Sequence, residues 1–157
     1  ILRQLGEGFV LYYTGGPAAE KDKAHIPPNM IDMGRLQGDD AVVAAMQNAD
    51  ALLFPSRSEG HPLVAVEAMA CGLPIIGMHG SSVSEAVTDG QTGLLCPQND
   101  VAAFVTATRS LAADHIRYAS LAQAARLQAV EHFSEASMID AYLHLYQCAT
   151  ADAKGTL

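Results

Sequence analysis

The chain has 157 residues, close to the size of one ordinary domain, so we expect a single hydrophobic core. Half of the residues are hydrophobic and only 17% are charged, a composition that excludes disorder as the main state. Nine Lys and Arg residues against 17 Asp and Glu residues leave a formal charge of -8, which argues against nucleic acid as a partner because such a surface repels phosphate backbones.

Short apolar runs alternate with amphipathic stretches, the pattern of parallel strands joined by crossover helices. The chain opens at Ile1 in what resembles the last turn of a helix, and we expect it to be a fragment of a longer protein. Five candidate strands, each apolar and bounded by turn residues, span residues 9–13, 30–33, 51–55, 74–78 and 93–96. This order predicts a parallel sheet.

Turn and capping residues mark three helices between these strands. Asp39 or Asp40 is predicted to cap the first helix, and Pro62 is predicted to lie in the first turn of the second. The third helix is predicted to begin at a cap formed by Ser81 or Ser82 and to end at Gly90. After the last strand, helical periodicity covers residues 100–113, 115–132 and 134–150. The apolar positions that mark two of these helices are Val101, Phe104, Val105 and Leu111, and then Met138, Tyr142 and Leu145.

The predicted fold class is therefore α/β, a Rossmann-like, doubly wound parallel sheet of about five to six strands with a helical C-terminal tail. Residues 1–150 form one domain, and residues 151–157 are predicted to fray. In such sheets ligands bind at the carboxyl ends of the strands, which here are the loops after Tyr13, Met33, Pro55 and Met78.

The most informative stretch follows Pro55. Between Pro62 and Ile76 the only charged residue is Glu67, in a helix whose composition suits packing against a sheet. A carboxylate buried there requires a partner, and the two hydroxyls of a ribose supply two donors. Glu67 is therefore a candidate for ribose binding.

A second carboxylate, Glu59, precedes the same helix by eight residues. At the helix start the amides of Leu63 and Val64 lack intrahelical partners and form a seat for a phosphate. A nucleoside diphosphate sugar requires one carboxylate on each side of such a seat. The alternative is that Glu67 reaches solvent or pairs with an arginine and that Glu59 is a solvated loop residue.

The full string from Pro55 to Ile76 resembles the carboxyl-terminal domain of retaining glycosyltransferases of the group 1 type, which have the GT-B architecture. Their signature is Glu, seven residues, then Glu, in a Pro-Ser...Glu-Gly-aromatic-(Gly/Pro)-Leu...Glu-Ala-Met-Ala-x-Gly-x-Pro context. The resemblance extends over residues 9–148, through an earlier strand and Gly turn and through the later segments 80–85 and 89–97. The chain is thus similar to one half of a GT-B enzyme.

By this resemblance Glu59 binds the donor sugar and is the catalytic residue, and Glu67 binds the ribose. The implied donor site consists of Glu59, Gly60, His61, Pro62, Leu63, Val64 and Glu67. Arg35 and Leu36 fall where the family places its nucleobase. His61 and Pro62 stand where an aromatic residue and a glycine are common.

The resemblance also implies partners and cofactors. The expected partners are a nucleotide sugar, UDP- or GDP-linked, a glycan or lipid-linked acceptor, and an amino-terminal domain of the same protein, without which the fragment is expected to be inactive. No metal or other cofactor is expected, and the sequence contains neither Asp-x-Asp nor HExxH. Polysaccharide biosynthesis is the implied process.

Two other functions remain open: a non-catalytic nucleotide-sugar binding or interaction module, and half of a nucleotide-sugar epimerase. Location follows from the cysteines, because Cys71, Cys96 and Cys148 form no CxxC pair and their odd count indicates a reducing compartment. We expect a cytoplasmic protein, with peripheral attachment at the inner face of the membrane as an option for the full-length chain.

Overall fold

The computed structural model describes residues 1–15, 25–57, 60 and 62–154, and the side chains of these residues up to 150. Its strands are β1 (Leu11–Tyr13), β2 (Met30–Asp32), β3 (Leu52–Phe54), β4 (Ile75–Met78) and β5 (Gly93–Cys96). Its helices are α1 (Leu2–Leu5), α2 (Asp39–Gln47), α3 (Leu63–Ala70), α4 (Val83–Ala86), α5 (Val101–Ala113), α6 (His115–His132) and α7 (Glu135–Lys154). None of the helices within the described ranges is long and apolar enough to cross a membrane.

All strand pairings are parallel, which confirms the predicted fold class. The five strands form two separate ladders: β1 pairs with β2, and β4 lies between β3 and β5. In register, Tyr12 faces Ile31 in the first ladder and Leu53 faces Ile76 in the second. The sequence indicated strands at all five positions but not this division.

The core is built on both faces of β4, whose four residues are all buried. Ile75 packs with Ala65 and Met69 of α3 on one face, and Ile76 packs with Phe104 of α5 on the other. Successive side chains of a strand point to opposite faces, so a continuous apolar run supplies two cores. This is why the sequence of β4 shows no alternation.

Two aspartates terminate the preceding loops and begin the long helices. Asp100 Oδ1 accepts a hydrogen bond from the Ala103 amide at 2.9 Å, and Asp114 does the same for the Arg117 amide at 2.9 Å. Each carboxylate also lies at the positive end of its helix dipole. The sequence pattern predicted where α5 and α6 begin, and the structure shows that Asp100 and Asp114 are their N-caps.

Of the other predicted helix boundaries, the cap of α4 at Ser82 is confirmed, whereas the cap of α2 and the end of α4 are wrong. The N-cap of α2 is Gly38, and Asp39 and Asp40 lie in the first turn, where their charges still favour the helix. Ser82 is the N-cap of α4 without a cap hydrogen bond from its side chain, and α4 ends at Ala86, not Gly90. Gly90 instead has a φ of 72°, the left-handed conformation of a turn.

The last helix differs from its sequence pattern in two respects. It continues to Lys154, beyond the predicted end at residue 150. Its apolar positions Met138, Tyr142 and Leu145 are all more than half exposed. Helical periodicity identified the apolar stripe correctly, but no described element covers that stripe.

Candidate functional site

The candidate site lies at the carboxyl ends of β3 and β4, where two of the four predicted loops meet. These loops enclose an open pocket of about 480 Å³. Its lining consists of Arg57, Gly60, Gly80, Ser81, Ser82, Ser84 and Glu85. The site is thus formed by residues far apart in sequence that the sheet brings to one edge.

Helix α3 begins three residues after Gly60, which lines this pocket. Pro62 is the N-cap, one position earlier than predicted, and its carbonyl oxygen accepts hydrogen bonds from the amides of Ala65 and Val66 at 2.9 and 3.3 Å. The amides of Leu63 and Val64 precede these first helical bonds and remain available to a ligand. A seat for an anion at these two amides stays a prediction.

Glu67 is not buried, whereas the argument for ribose binding from the sequence assumed a buried carboxylate. It is exposed, and it shares one face of α3 with Leu63 and Val64, which are 62% and 41% exposed. Ala65 and Ala68 occupy the buried face instead, because residues three and four apart lie on the same side of a helix. The carboxylate needs no buried partner, and it is accessible to a ligand at the helix start.

This exposure changes what Glu67 by itself implies. A buried carboxylate would have required a ligand or a cation, whereas an exposed one is also compatible with simple solvation. The case for a ligand consequently rests on its neighbours, the free amides of Leu63 and Val64 and the adjacent pocket.

The turn after β4 is the part of the site that sequence reasoning missed. Ser81 Oγ donates to the Met78 carbonyl oxygen at 2.8 Å, and the Gly80 amide donates to Ser84 Oγ at 3.1 Å. These bonds hold the turn at the strand end. Ser82 Oγ is buried and has no hydrogen-bond partner among the described residues. The sequence predicted ligand binding in the loop after Met78, but it gave Ser81 and Ser82 as helix caps and did not name the serines as contacts of the site.

Arg57 and Glu85 also line the pocket. A cation and a carboxylate here give the pocket both signs of charge. Glu59 and His61, the remaining predicted donor contacts, lie outside the described residues.

The predicted nucleobase residues lie at the carboxyl end of the other ladder. Arg35 is exposed and Leu36 is half-buried in the loop after β2. This loop is tied to the loop after β1, because Thr14 Oγ1 donates to the Gly34 carbonyl oxygen at 2.7 Å and the Gly15 amide donates to the same oxygen at 3.3 Å. Arg35 and Leu36 therefore lie after a strand of the β1–β2 ladder, whereas the start of α3 follows a strand of the other ladder.

Parallel strands, crossover helices and a pocket at the carboxyl ends of the strands define a Rossmann-like α/β domain. Residues 18–128 match the family of glycosyl transferases group 1. The chain therefore belongs to the group 1 glycosyltransferase family, which confirms the predicted family.

Three comparisons illustrate the likeness. The D-inositol 3-phosphate glycosyltransferase of Rhodococcus jostii is 37% identical over 116 residues, which cover 74% of this chain and 25% of that protein. Anabaena HepE (Alr3699), in complex with UDP and glucose, superposes with a TM-score of 0.78 at 17% identity, over 92% of this chain and 42% of HepE. The C-terminal domain of the group 1 protein LpcC from Francisella tularensis superposes with a TM-score of 0.63 at 20% identity, over 74% of this chain and 60% of that domain structure.

These likenesses place the chain as one part of a GT-B protein. It spans about a quarter of the length of the Rhodococcus relative, and the LpcC match is to a carboxyl-terminal domain. The expected correspondence to a carboxyl-terminal domain is confirmed.

Proposed function

We propose that this chain is the donor-binding domain of a retaining glycosyltransferase, which moves a hexosyl group from a nucleoside diphosphate sugar to an acceptor hydroxyl. The observation that carries the proposal is the start of α3, which has unbonded amides and an exposed carboxylate and begins three residues after Gly60 of the pocket lining. In this proposal the chain acts together with the remainder of a longer protein.

The diphosphate would accept hydrogen bonds from the amides of Leu63 and Val64 at the positive end of the α3 dipole. Four residues, about 6 Å of helix rise, separate Leu63 from Glu67, so a ribose attached to that diphosphate falls beside the carboxylate. The helix start, rather than a metal ion, supplies positive charge to the leaving diphosphate in this scheme.

The pocket bounded by Gly60, Arg57 and the serine turn would receive the hexosyl group. Glu59 is the proposed catalytic residue, which orients the sugar ring through its hydroxyls, and His61 is a second proposed sugar contact. Arg35 and Leu36 would receive the nucleobase at the end of β2. Retention of configuration is taken from the family resemblance.

UDP and GDP are the proposed donor nucleotides. The complex of HepE with UDP and glucose supports UDP, because HepE has the same fold over most of this chain, and GDP is proposed from the family resemblance. A glycan or lipid-linked acceptor, polysaccharide biosynthesis and a cytoplasmic location, peripheral at the inner membrane face in the full-length protein, remain predictions from the resemblance and the cysteine pattern.

A non-catalytic nucleotide-sugar binding module is the second candidate. The observation that favours it is the exposure of Glu67, since a solvated carboxylate does not require a reaction at the site. An epimerase half has no such observation in its favour.

Saturation-transfer NMR of the 157-residue chain with UDP, GDP and ADP tests nucleotide binding. We expect transfer to the ribose protons of UDP or GDP. Glu67→Gln should weaken binding at least about tenfold, because it weakens two hydrogen bonds to a charged group. Glu135→Gln, an exposed carboxylate in the first turn of α7, is the matched control and should bind like the wild type.

Absence of transfer from all three nucleotides would contradict a donor-binding function for this chain. Equal transfer in Glu67→Gln and the wild type would retain nucleotide binding but remove Glu67 from the ribose site. Transfer of hexose to an acceptor by a longer protein, lost in Glu59→Gln with nucleotide binding intact, separates the enzyme from the binding module.

A further inference from the structure

Two helices, α3 and α4, contribute their first turns to the candidate site. Helix α3 begins at Leu63, three residues after Gly60 of the pocket lining. Helix α4 begins at Val83, between the lining residues Ser82 and Ser84 of the serine turn. The shape of the site therefore depends on where α3 and α4 stand relative to each other.

Helix α6 packs against both of these helices. Its residues Ala125 and Ala129 lie in the same buried cluster as Ala68 of α3 and Ala86 of α4. Small side chains at a helix contact let the backbones approach closely. Polar side chains next to these alanines can therefore reach the backbone of the neighbouring helices.

Gln128 of α6 bonds the carboxyl end of α4. Its Nε2 donates to the Ala86 carbonyl oxygen at 2.8 Å, although the two residues are 42 positions apart. Ala86 is only 2% exposed and Gln128 is half-buried, so water does not readily replace this donor. A buried carbonyl oxygen without a donor is costly, and the bond consequently fixes where α4 ends.

Arg126 of α6 bonds the carboxyl end of α3 from an exposed position. Its Nη1 donates to the Ala70 carbonyl oxygen at 2.7 Å. The other carbonyl oxygens of this last turn accept from amides of the following chain: Glu67 from Cys71, Ala68 from Leu73, and Met69 from Gly72, at 3.0, 2.9 and 2.9 Å. Arg126 thus completes the bonding of the helix end, where a cation also complements the helix dipole.

The starts of the two helices differ from their ends. Among the described residues, the amides of Leu63 and Val64 donate to no acceptor, and Ser82 Oγ has no partner. Both helices are therefore tied to α6 at their ends and keep unpartnered groups at their starts. A ligand can bind these groups without displacing the bonds that hold the helices.

We propose that Arg126 and Gln128 are positioning residues of the candidate site, which fix the ends of α3 and α4 and thereby set the spacing between the α3 amides and the serine turn. The consequence for ligand binding rests on the proposed function, whereas the two bonds exist without a ligand. A displacement of about 1 Å is enough to misplace groups that must contact one ligand together. Neither side chain touches the ligand in this scheme.

The test replaces each positioning residue by methionine, which removes the donor, and by lysine, which keeps a donor on a long side chain. Gln123→Met and Arg117→Met are the matched controls. Both side chains are exposed on the same helix, α6, and make no hydrogen bond among the described residues.

Amide hydrogen exchange without nucleotide is the first measurement. Gln128→Met should speed exchange at Ser84 and Glu85, the first bonded amides of α4, at least about fivefold, because local opening of that helix becomes easier. Arg126→Met should have the same effect at Ala65, the first bonded amide of α3. The lysine variants should restore slow exchange, and the two controls should match the wild type.

Titration with UDP, followed by NMR, is the second measurement. The Kd for UDP should rise at least about threefold in each methionine variant and return towards the wild-type value in each lysine variant. Urea denaturation of the same proteins separates positioning from stability, because a purely structural bond changes the free energy of unfolding but not the Kd of the folded chain. Arg126 is exposed, so its methionine variant decides the matter even where Gln128→Met fails to fold.

Two results would overturn the proposal. Unchanged exchange at the starts of α3 and α4 shows that α6 does not position them. Lower stability with an unchanged Kd for UDP assigns the two bonds to the fold alone. A wild type that binds no UDP contradicts the proposed function instead, and exchange without nucleotide then decides by itself whether Arg126 and Gln128 position the two helices.

Discussion

At Gly93 the backbone of β5 comes so close to β4 that no side chain fits between them. A Cβ atom added there would lie 2.7 Å from the Ile75 carbonyl oxygen and 2.7 Å from Val87 Cγ1. The carbonyl oxygen belongs to the central strand and cannot move without disturbing the ladder.

We therefore expect Gly93→Ala to lower the free energy of unfolding by about 1–3 kcal/mol, the usual range for overpacking a core. Urea denaturation followed by circular dichroism measures this change. Gly8→Ala is the matched control, because its Cβ would meet no atom within 4 Å, and its stability should equal or slightly exceed that of the wild type. Equal stability of the two variants would show that the β4–β5 approach is looser than described.

Ionisation of the Cys96 thiol makes the stability of the fold depend on pH in the alkaline range. Burial raises the pKa of its thiol, and the negative charges of Asp89 and Asp100 raise it further. The folded chain therefore keeps this thiol protonated to a higher pH than the unfolded chain does. The contribution of the protonated thiol to the free energy of unfolding is complete below the pKa of the thiol in the unfolded chain, about 8.5. It is lost as the pH rises through the higher pKa of the thiol in the folded chain.

We expect the free energies of unfolding of Cys96→Ala and the wild type to differ less at pH 10 than at pH 7.5, because only the wild type loses stability when this thiol ionises. Urea unfolding at the two pH values measures the difference. Cys148→Ala serves as the control because Cys148 is exposed, so its offset from the wild type should be the same at both pH values. A constant offset for Cys96→Ala as well would exclude the coupling between thiol ionisation and folding.

Single residues also mark the limit of what the sequence predicted at the site. The identity and spacing of Pro62, Leu63 and Val64 predicted the helix start to within one position, because capping and dipole effects are local. The surroundings of Glu67 were predicted wrongly, because its exposure depends on how α3 is rotated against the sheet. That rotation is set by Ala65 and Ala68, whose small side chains take the contact face.

Among the helices, the cap of α5 provides a measurable contribution. Asp100→Ala should lower the free energy of unfolding by about 1 kcal/mol, since it removes the hydrogen bond from the Ala103 amide. Asp100→Asn keeps the acceptor and should retain most of that stability. Thermal denaturation at pH 7 measures all three proteins.

Asp39→Ala is the control for charge alone. Asp39 lies in the first turn of α2 and makes no cap bond from its side chain, so its loss should change stability by no more than a few tenths of a kcal/mol. A loss at Asp39 as large as that at Asp100 would mean that the dipole, and not the cap bond, dominates.

The helices also show why periodicity predicts a stripe but not its burial. The stripe of α5 is mostly buried, with Phe104 and Leu111 in the core, although Val101 at its start is exposed. The stripe of α7 is exposed throughout its predicted positions. Both patterns look alike in sequence, and only the position of each helix relative to the sheet distinguishes them.

Across the molecule, β4 is the strand from which the rest of the fold is organised. It is buried along its whole length and paired on both sides, whereas β1 pairs on one side and has an exposed Tyr12. Regions with more buried apolar contacts open less often. The two ladders should therefore differ in local stability.

We expect amides of β4 to exchange only through global unfolding, and amides of β1 to exchange through local opening at a lower free energy. Native-state hydrogen exchange at low denaturant concentrations separates the two. Equal opening free energies for β1 and β4 would show that the two ladders unfold as one unit.

The sequence by itself determined the elements that depend on near neighbours: five strands in order, the helices between them, the family signature and the start of α3. Run length, turn residues and capping act over a few positions, so they can be read without a structure. The tertiary structure decided which loops share a pocket, that the serine turn after β4 belongs to it, that Glu67 faces solvent, and that the described strands form two ladders. Each of these depends on distances between residues far apart in the chain, and these distances are set when the strands pair and the helices pack onto them.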